Sequence, residues 1–194
     1  MSPLRLVAAL GNPGRQYRDT RHNVGFMVAQ ELLRRWRGGP ERMEDTSSVA
    51  AARIEGGAVL VVQPQTFMNR SGEAVEAVAR RHGVETSEML LVYDDADLPM
   101  GRIRIRTGGG AAGHKGVASI IARLGTDQIM RIRLGIGKSE DDLADRVLTP
   151  FTREELPAVK SMVEEAADAV AVIAGAGIAV AMNRFNRRET IPEG

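Results

Sequence analysis

The chain has 194 residues, of which 43% are hydrophobic and 26% charged, so it is long enough for one domain with a real core and is not a disordered chain. The absence of cysteine excludes disulfides, thiolate metal sites and a cysteine nucleophile, and fits a reducing compartment. A formal net charge of +1 conceals an asymmetry: Arg102, Arg104, Arg106, Lys115, Arg123, Arg131, Arg133 and Lys138 are opposed within that span only by Asp127, and residues 140–168 are mostly acidic.

Such a cationic cluster reads either as a site for an anionic partner or as a solvated surface balanced by the acidic stretch. Aromatic residues are only 4%, so the core must be built from Val, Ile, Leu, Ala and Met. The first residues lack the basic and apolar regions of a signal peptide. The apolar run 166–182 carries Asp168 and two glycines, which suits buried helices better than a membrane span. A cytoplasmic protein with no membrane partner is expected.

In chain order, residues 4–10 form an apolar strand that ends at the turn Gly11-Asn12-Pro13-Gly14. A helix begins near Asn23, carries Val24, Met27, Val28, Leu32 and Trp36 on one side, and stops at Gly38-Gly39. Residues 49–54 and 58–63 flank Glu55-Gly56-Gly57 as a β-hairpin. The loop 64–70 leads to Ser71, read as the N-cap of a helix ending at Gly83, with His82 at its surface end. A buried strand over 89–93 breaks at the acidic turn 94–99. Residues 102–106 alternate Arg and Ile, giving one cationic and one apolar face.

A Gly-rich loop, 108–116, then leads into a helix through Leu124, and 131–136 repeats the alternating strand. Thr152 to Glu155 has the form of a capping box opening a helix with Leu156, Val159, Val163, Ala166, Val170 and Ile173 on one face. Gly175 and Gly177 break it before a last short helix with Asn183, Arg184, Asn186 and Arg187. The interleaving predicts an α/β protein: a single-domain three-layer sandwich spanning 1–194, with a mixed, largely parallel central sheet flanked by helices.

Sites in open α/β sheets form where loops converge outside the strand ends. Four loops qualify, over 12–23, 64–69, 94–99 and 108–115. His22 lies at a helix start among polar neighbours; its reference pKa, about 6.5, suits a general base, although a capping histidine would look alike. Asn12 and Asn69 could donate to a developing oxyanion or serve only as turn residues. Asp94, Asp95 and Asp97 could orient a histidine or ligate a metal, and orientation is favoured because no calcium-loop pattern is present. Gly108 to Gly113 formally matches G-x-G-x-x-G, but the strand before it is cationic and no acidic residue follows at the right distance, so no nucleotide cofactor is expected. No serine elbow, zinc-protease motif or Walker loop occurs, so hydrolysis here would need direct attack by water.

Taken in order, these segments resemble the bacterial peptidyl-tRNA hydrolase family. The matching pieces are Leu10 to Gly14 through Tyr17, Thr20 to Gly25, Pro64 to Gly72, Asp94 to Pro99 with Gly101, Gly108 to Gly116, and Arg131 to Gly137. The resemblance implies a metal-independent hydrolase, without cofactor, that cleaves the ester between a peptide and the terminal ribose of tRNA. It implies that His22 activates water, Asp94 orients His22, and Asn12 and Asn69 position the peptide and stabilise the oxyanion. Tyr17, Asn23, Phe67, Met68, His114 and Lys115 would contact substrate. Arg104, Arg106, Arg131 and Arg133 would meet tRNA phosphates, in keeping with the alternating strands. The partner is peptidyl-tRNA and the expected state a monomer; a non-catalytic RNA-binding relative of the same fold is the alternative. Two positions depart from the family pattern. Lys115 stands where Asn is common and can donate but not accept. Tyr93 stands where many members have His, and is expected to matter less.

Overall fold

A computed structural model describes residues 3–138 and 146–186. Arg187 and the start of the acidic stretch fall outside them. Seven strands form one sheet: β1 (Leu6–Ala9), β2 (Arg42–Glu44), β3 (Ser47–Ile54), β4 (Gly57–Pro64), β5 (Met89–Asp95), β6 (Ile103–Arg106) and β7 (Met130–Gly135). Five helices flank it among the described residues: α1 (Val24–Arg35), α2 (Ser71–His82), α3 (Lys115–Leu124), α4 (Leu156–Ala176) and α5 (Ile178–Phe185).

The spatial order is β2-β3-β4-β1-β5-β7-β6. Parallel pairing is confined to the centre, where β1 pairs with β4 and β5, and β5 with β7. Strands there are covered on both faces, which is why β1 and β5 are continuous apolar runs rather than alternating ones. Antiparallel pairs close both sides: β2–β3 and β3–β4 on one, β6–β7 on the other. The β3–β4 hairpin turns on Glu55 (φ 47°) and Gly56 (φ 82°), two consecutive left-handed residues of the kind a two-residue hairpin loop needs.

Each face carries its own core. Val7, Ala9, Val61, Leu90 and Val92 pack with α1, α4 and α5. Leu6, Ala8, Leu10, Val62 and Leu91 pack with α2 and α3 on the other side. The result is the three-layer arrangement that the interleaving of strands and helices predicts.

Several local readings change. Ser71 is the first residue of α2, not its cap, and its hydroxyl donates to the Met68 carbonyl at 2.8 Å. His82 is half-buried and pairs with Glu44 of β2 at 2.7 Å, a strand too short and too exposed to read from the sequence. Only half of the Thr152–Glu155 capping box forms: the Glu155 carboxylate accepts from the Thr152 amide at 2.7 Å. Its oxygens also take Arg21, a demand no local pattern reveals. No helix among the described residues is long and apolar enough to cross a membrane.

Candidate active site

The carboxyl ends of β1, β4 and β5 and the amino end of α3 surround a cleft of about 850 Å³. Its walls include Asn12, His22, Phe67, Met68, Asn69, Asp94 and His114. This is the crevice that an open α/β sheet leaves where successive connections depart to opposite faces.

His22 reaches the cleft because the chain after β1 is pinned at several points. The Leu10 amide donates to the Val92 carbonyl at 2.9 Å, continuing the β1–β5 ladder. The Asn23 side chain then bonds the Asn12 backbone in both directions: its Oδ1 accepts from the Asn12 amide at 2.8 Å, and its Nδ2 donates to the Asn12 carbonyl at 2.9 Å. Gly25 allows α1 to begin there, since any Cβ at that position would overlap the Leu10 and Val92 carbonyl oxygens. Residues Arg21–Asn23 form a 3-10 turn between these anchors, and His22 sits in the middle of it.

Asp94, at the end of β5, accepts from both sides. His22 Nδ1 lies 2.8 Å from its Oδ1, and His114 Nε2 lies 3.0 Å from the same oxygen. Burial alone would push the Asp94 carboxyl up; the hydrogen bonds of His114 and His22, joined by the charge of either ring once it is protonated, outweigh it and hold the group below the ordinary carboxylate range. An ionised Asp94 accepts from His22 Nδ1–H, which leaves Nε2 of that ring as the basic nitrogen. The three residues also bring potential metal-ligating atoms within 4.8 Å of one another. Both nitrogens that face Asp94 are at hydrogen-bond distance from it, so the trio is already satisfied as a hydrogen-bonded chain.

Asn12 Oδ1 accepts from the Met68 amide at 2.8 Å. A backbone N–H can face only the oxygen of that side chain, so the Asn12 amide nitrogen is the part turned away from Met68 and offered as a donor. Phe67 is 59% exposed at the rim, and Asn69 is exposed beside it. Lys115 lines the opposite wall at the first turn of α3.

The cationic residues occupy different environments. Arg106 is exposed and lines the cleft, whereas Arg104 is half-buried and lies outside its wall. Half-buried Arg133 forms an ion pair with Asp95. Arg131 is only 2% exposed, and its guanidinium donates to the carbonyls of Gly110 at 3.1 Å, Asp127 at 2.9 Å and Ile129 at 3.3 Å. It braces the Gly-rich loop. That loop leaves β6, an antiparallel edge strand, whereas a dinucleotide loop leaves a parallel strand within a βαβ unit.

Tyr17 and Asn23 do not line the cleft. Tyr17 belongs to a 3-10 turn whose carbonyl accepts from the Thr20 hydroxyl at 2.8 Å, and Asn23 is buried in its bonds to Asn12. Two features had no signal in the sequence, and a third, Tyr93, was marked there only as a departure from the family pattern. Val147 and Leu148, the latter 43% exposed, form an apolar wall beside the His22 turn. Buried Arg21 joins that wall to the His22 turn through Glu155, at 2.6 and 2.9 Å, through the Thr149 hydroxyl at 2.9 Å and through the Pro150 carbonyl. Tyr93 packs its ring 4.9 Å from that of His114; burial pushes its phenol up, against the opposing pull of Arg131.

Fold and site together define an α/β-sandwich enzyme whose histidine–aspartate pair sits at the carboxyl ends of parallel strands. A sequence model of the peptidyl-tRNA hydrolase family matches residues 6–193. The peptidyl-tRNA hydrolase of Syntrophomonas wolfei is 43% identical over 94% of this chain and 100% of its own length. That of Geobacillus thermodenitrificans is 42% identical, again over 94% of this chain and all of the relative. Among solved structures, peptidyl-tRNA hydrolase from Acinetobacter baumannii superposes with a TM-score of 0.91 at 29% identity, covering 97% of both chains. The chain belongs to the peptidyl-tRNA hydrolase family.

Proposed function

We propose that this protein hydrolyses the ester between the peptide and the 3′-terminal ribose of peptidyl-tRNA, with His22 as the base. The observation that carries this reading is the 2.8 Å contact of His22 Nδ1 with buried Asp94, which leaves Nε2 to take a proton from water. The hydroxide attacks the acyl carbon, and the carbonyl oxygen gains the negative charge of a tetrahedral intermediate. Asn12 Nδ2, set by the Met68 amide, donates to that oxygen or to the neighbouring peptide, with Asn69 assisting. As the intermediate collapses, the C–O bond to the ribose breaks and the proton on His22 passes to the departing ribose oxygen. Free peptide acid and tRNA result.

Phe67, Met68, Val147 and Leu148 offer apolar surface for the peptide side. Lys115, Arg106 and, after exchange of its Asp95 partner, Arg133 offer cations to the tRNA phosphates. A substrate of this kind places the activity in the cytoplasm, where tRNA is used. The test is release of tRNA from an N-blocked aminoacyl-tRNA by the purified protein in the presence of a chelator. Turnover is expected for the wild type and not for His22→Ala. Tight tRNA binding with no turnover by the wild type would instead favour a non-catalytic RNA-binding protein.

A further inference from the structure

We infer that His114 is a positioning residue that acts through Asp94, rather than a contact for the substrate; the inference rests on the proposed His22–Asp94 pair. Its side chain is committed at both nitrogens. Nδ1 accepts from the Val117 amide at 3.2 Å, which makes His114 the N-cap of α3. An acceptor Nδ1 fixes the neutral tautomer, with the proton on Nε2, so Nε2–H donates to Asp94 Oδ1 at 3.0 Å. No other tautomer of the neutral ring satisfies both contacts. A hydrogen bond from His114 to a substrate would break either the helix cap or the bond to Asp94.

The ring is held in this attitude from two sides. Tyr93 packs against it with centroids 4.9 Å apart, and His22 lies 5.2 Å away across the shared carboxylate. A buried carboxylate with one donor can rotate about its Cβ–Cγ bond. With two donors converging on Oδ1 it presents that oxygen, and no other, to His22. The two histidines in the site therefore differ in kind: one nitrogen of His22 remains available for chemistry, and neither nitrogen of His114 does.

Two amide substitutions separate the two contacts. Asparagine places its oxygen near the position of histidine Nδ1, so His114→Asn keeps the cap and loses the donor to Asp94. Glutamine places its nitrogen near the position of Nε2, so His114→Gln keeps that donor and loses the cap. Steady-state kcat and KM on an N-blocked aminoacyl-tRNA, with thermal unfolding of the same samples, read both effects. We expect kcat to fall in both variants, with His114→Asn about tenfold below His114→Gln, and KM to stay within about threefold in each. The order of stability should be the reverse, with His114→Gln unfolding about 2–4 °C lower for loss of the cap. A rise in KM at retained kcat would overturn the inference and make His114 a substrate contact. Equal kcat in the two variants would also overturn it, because the Asp94 bond would then be irrelevant. His22→Ala is run beside them: near-normal turnover there would overturn the parent reading of the site, and the inference with it, whereas an inactive His22→Ala with equal His114 variants defeats the inference alone.

Discussion

The histidine corner of the cleft and its cationic edge are built on opposite plans. At the corner, His22, Asp94, His114, Asn12 and Asn23 bond to one another or to nearby backbone, mostly at 2.8–3.0 Å, and the group is largely enclosed. At the edge, the ladder between β6 and β7 sets Arg104 opposite Arg133 and Arg106 opposite Arg131, and the four cations have different fates. Arg106 meets solvent, Arg104 is half-buried outside the cleft wall, Arg133 is held by Asp95, and Arg131 is enclosed by carbonyls. Chemistry needs preorganisation, because a base displaced by an ångström loses much of its effect. Phosphate attraction acts over several ångströms and tolerates mobile side chains.

The sharpest way to break this contrast is to remove the proposed base. His22→Ala should lower kcat by roughly 10²–10⁴-fold while leaving tRNA affinity within about threefold, measured by single-turnover hydrolysis and by binding of uncharged tRNA. Loss of affinity comparable to the loss of rate would mean that corner and edge are not separate. Next in size, Arg131→Ala should cost about 2–3 kcal/mol of stability in denaturant unfolding, because it strips buried carbonyls of their donors. Were Arg131 an ordinary surface cation, the same change would cost almost nothing.

Asp94 gives a smaller, pH-dependent effect. Its carboxyl is held below its ordinary value, so the unfolded chain takes up that proton more readily than the folded one. Its stabilising contribution is therefore complete above about pH 4 and is lost as the pH falls further. The decrease in Tm on acidification from neutral pH should be shallower in Asp94→Asn than in the wild type; parallel curves would remove Asp94 as a source of acid lability. Smallest of all, Arg106→Ala should leave unfolding unchanged and reduce the slope of log affinity against log salt by about one. An unchanged slope would put the tRNA phosphates on another surface.

The same contrast explains what was legible in the sequence. The parallel centre announced itself through continuous apolar runs, and the hairpin through Glu55-Gly56. His22 and Asp94 carried a chemical type and a place at a strand end, and ordered motifs supplied their pairing. What escaped was long-range polar commitment. Arg131 and Arg133 share one alternating pattern, yet one is buried by the loop that folds over it and the other is not. Asn23 and Asn12 both look like turn residues, and only their mutual bonds make one the support of the other. Arg21 shows the same limit: its partners, Thr149, Pro150 and Glu155, lie more than a hundred positions away. Hydrophobic period is a local property and can be read locally. The destination of a buried donor is set by the whole fold.

At the outer edge of the sheet, strand β6 has no neighbouring strand beyond it among the described residues. Asn186, just after α5, donates from its amide to the Ile105 carbonyl at 2.9 Å and accepts from the Ile105 amide at 2.8 Å. One side chain thus imitates a strand at the central position of the exposed edge. An uncovered edge is a template on which a second chain can add and begin to aggregate. Here the chain leaving α5 caps that edge, so growth of the sheet into another molecule is blocked beside the cations proposed to meet RNA.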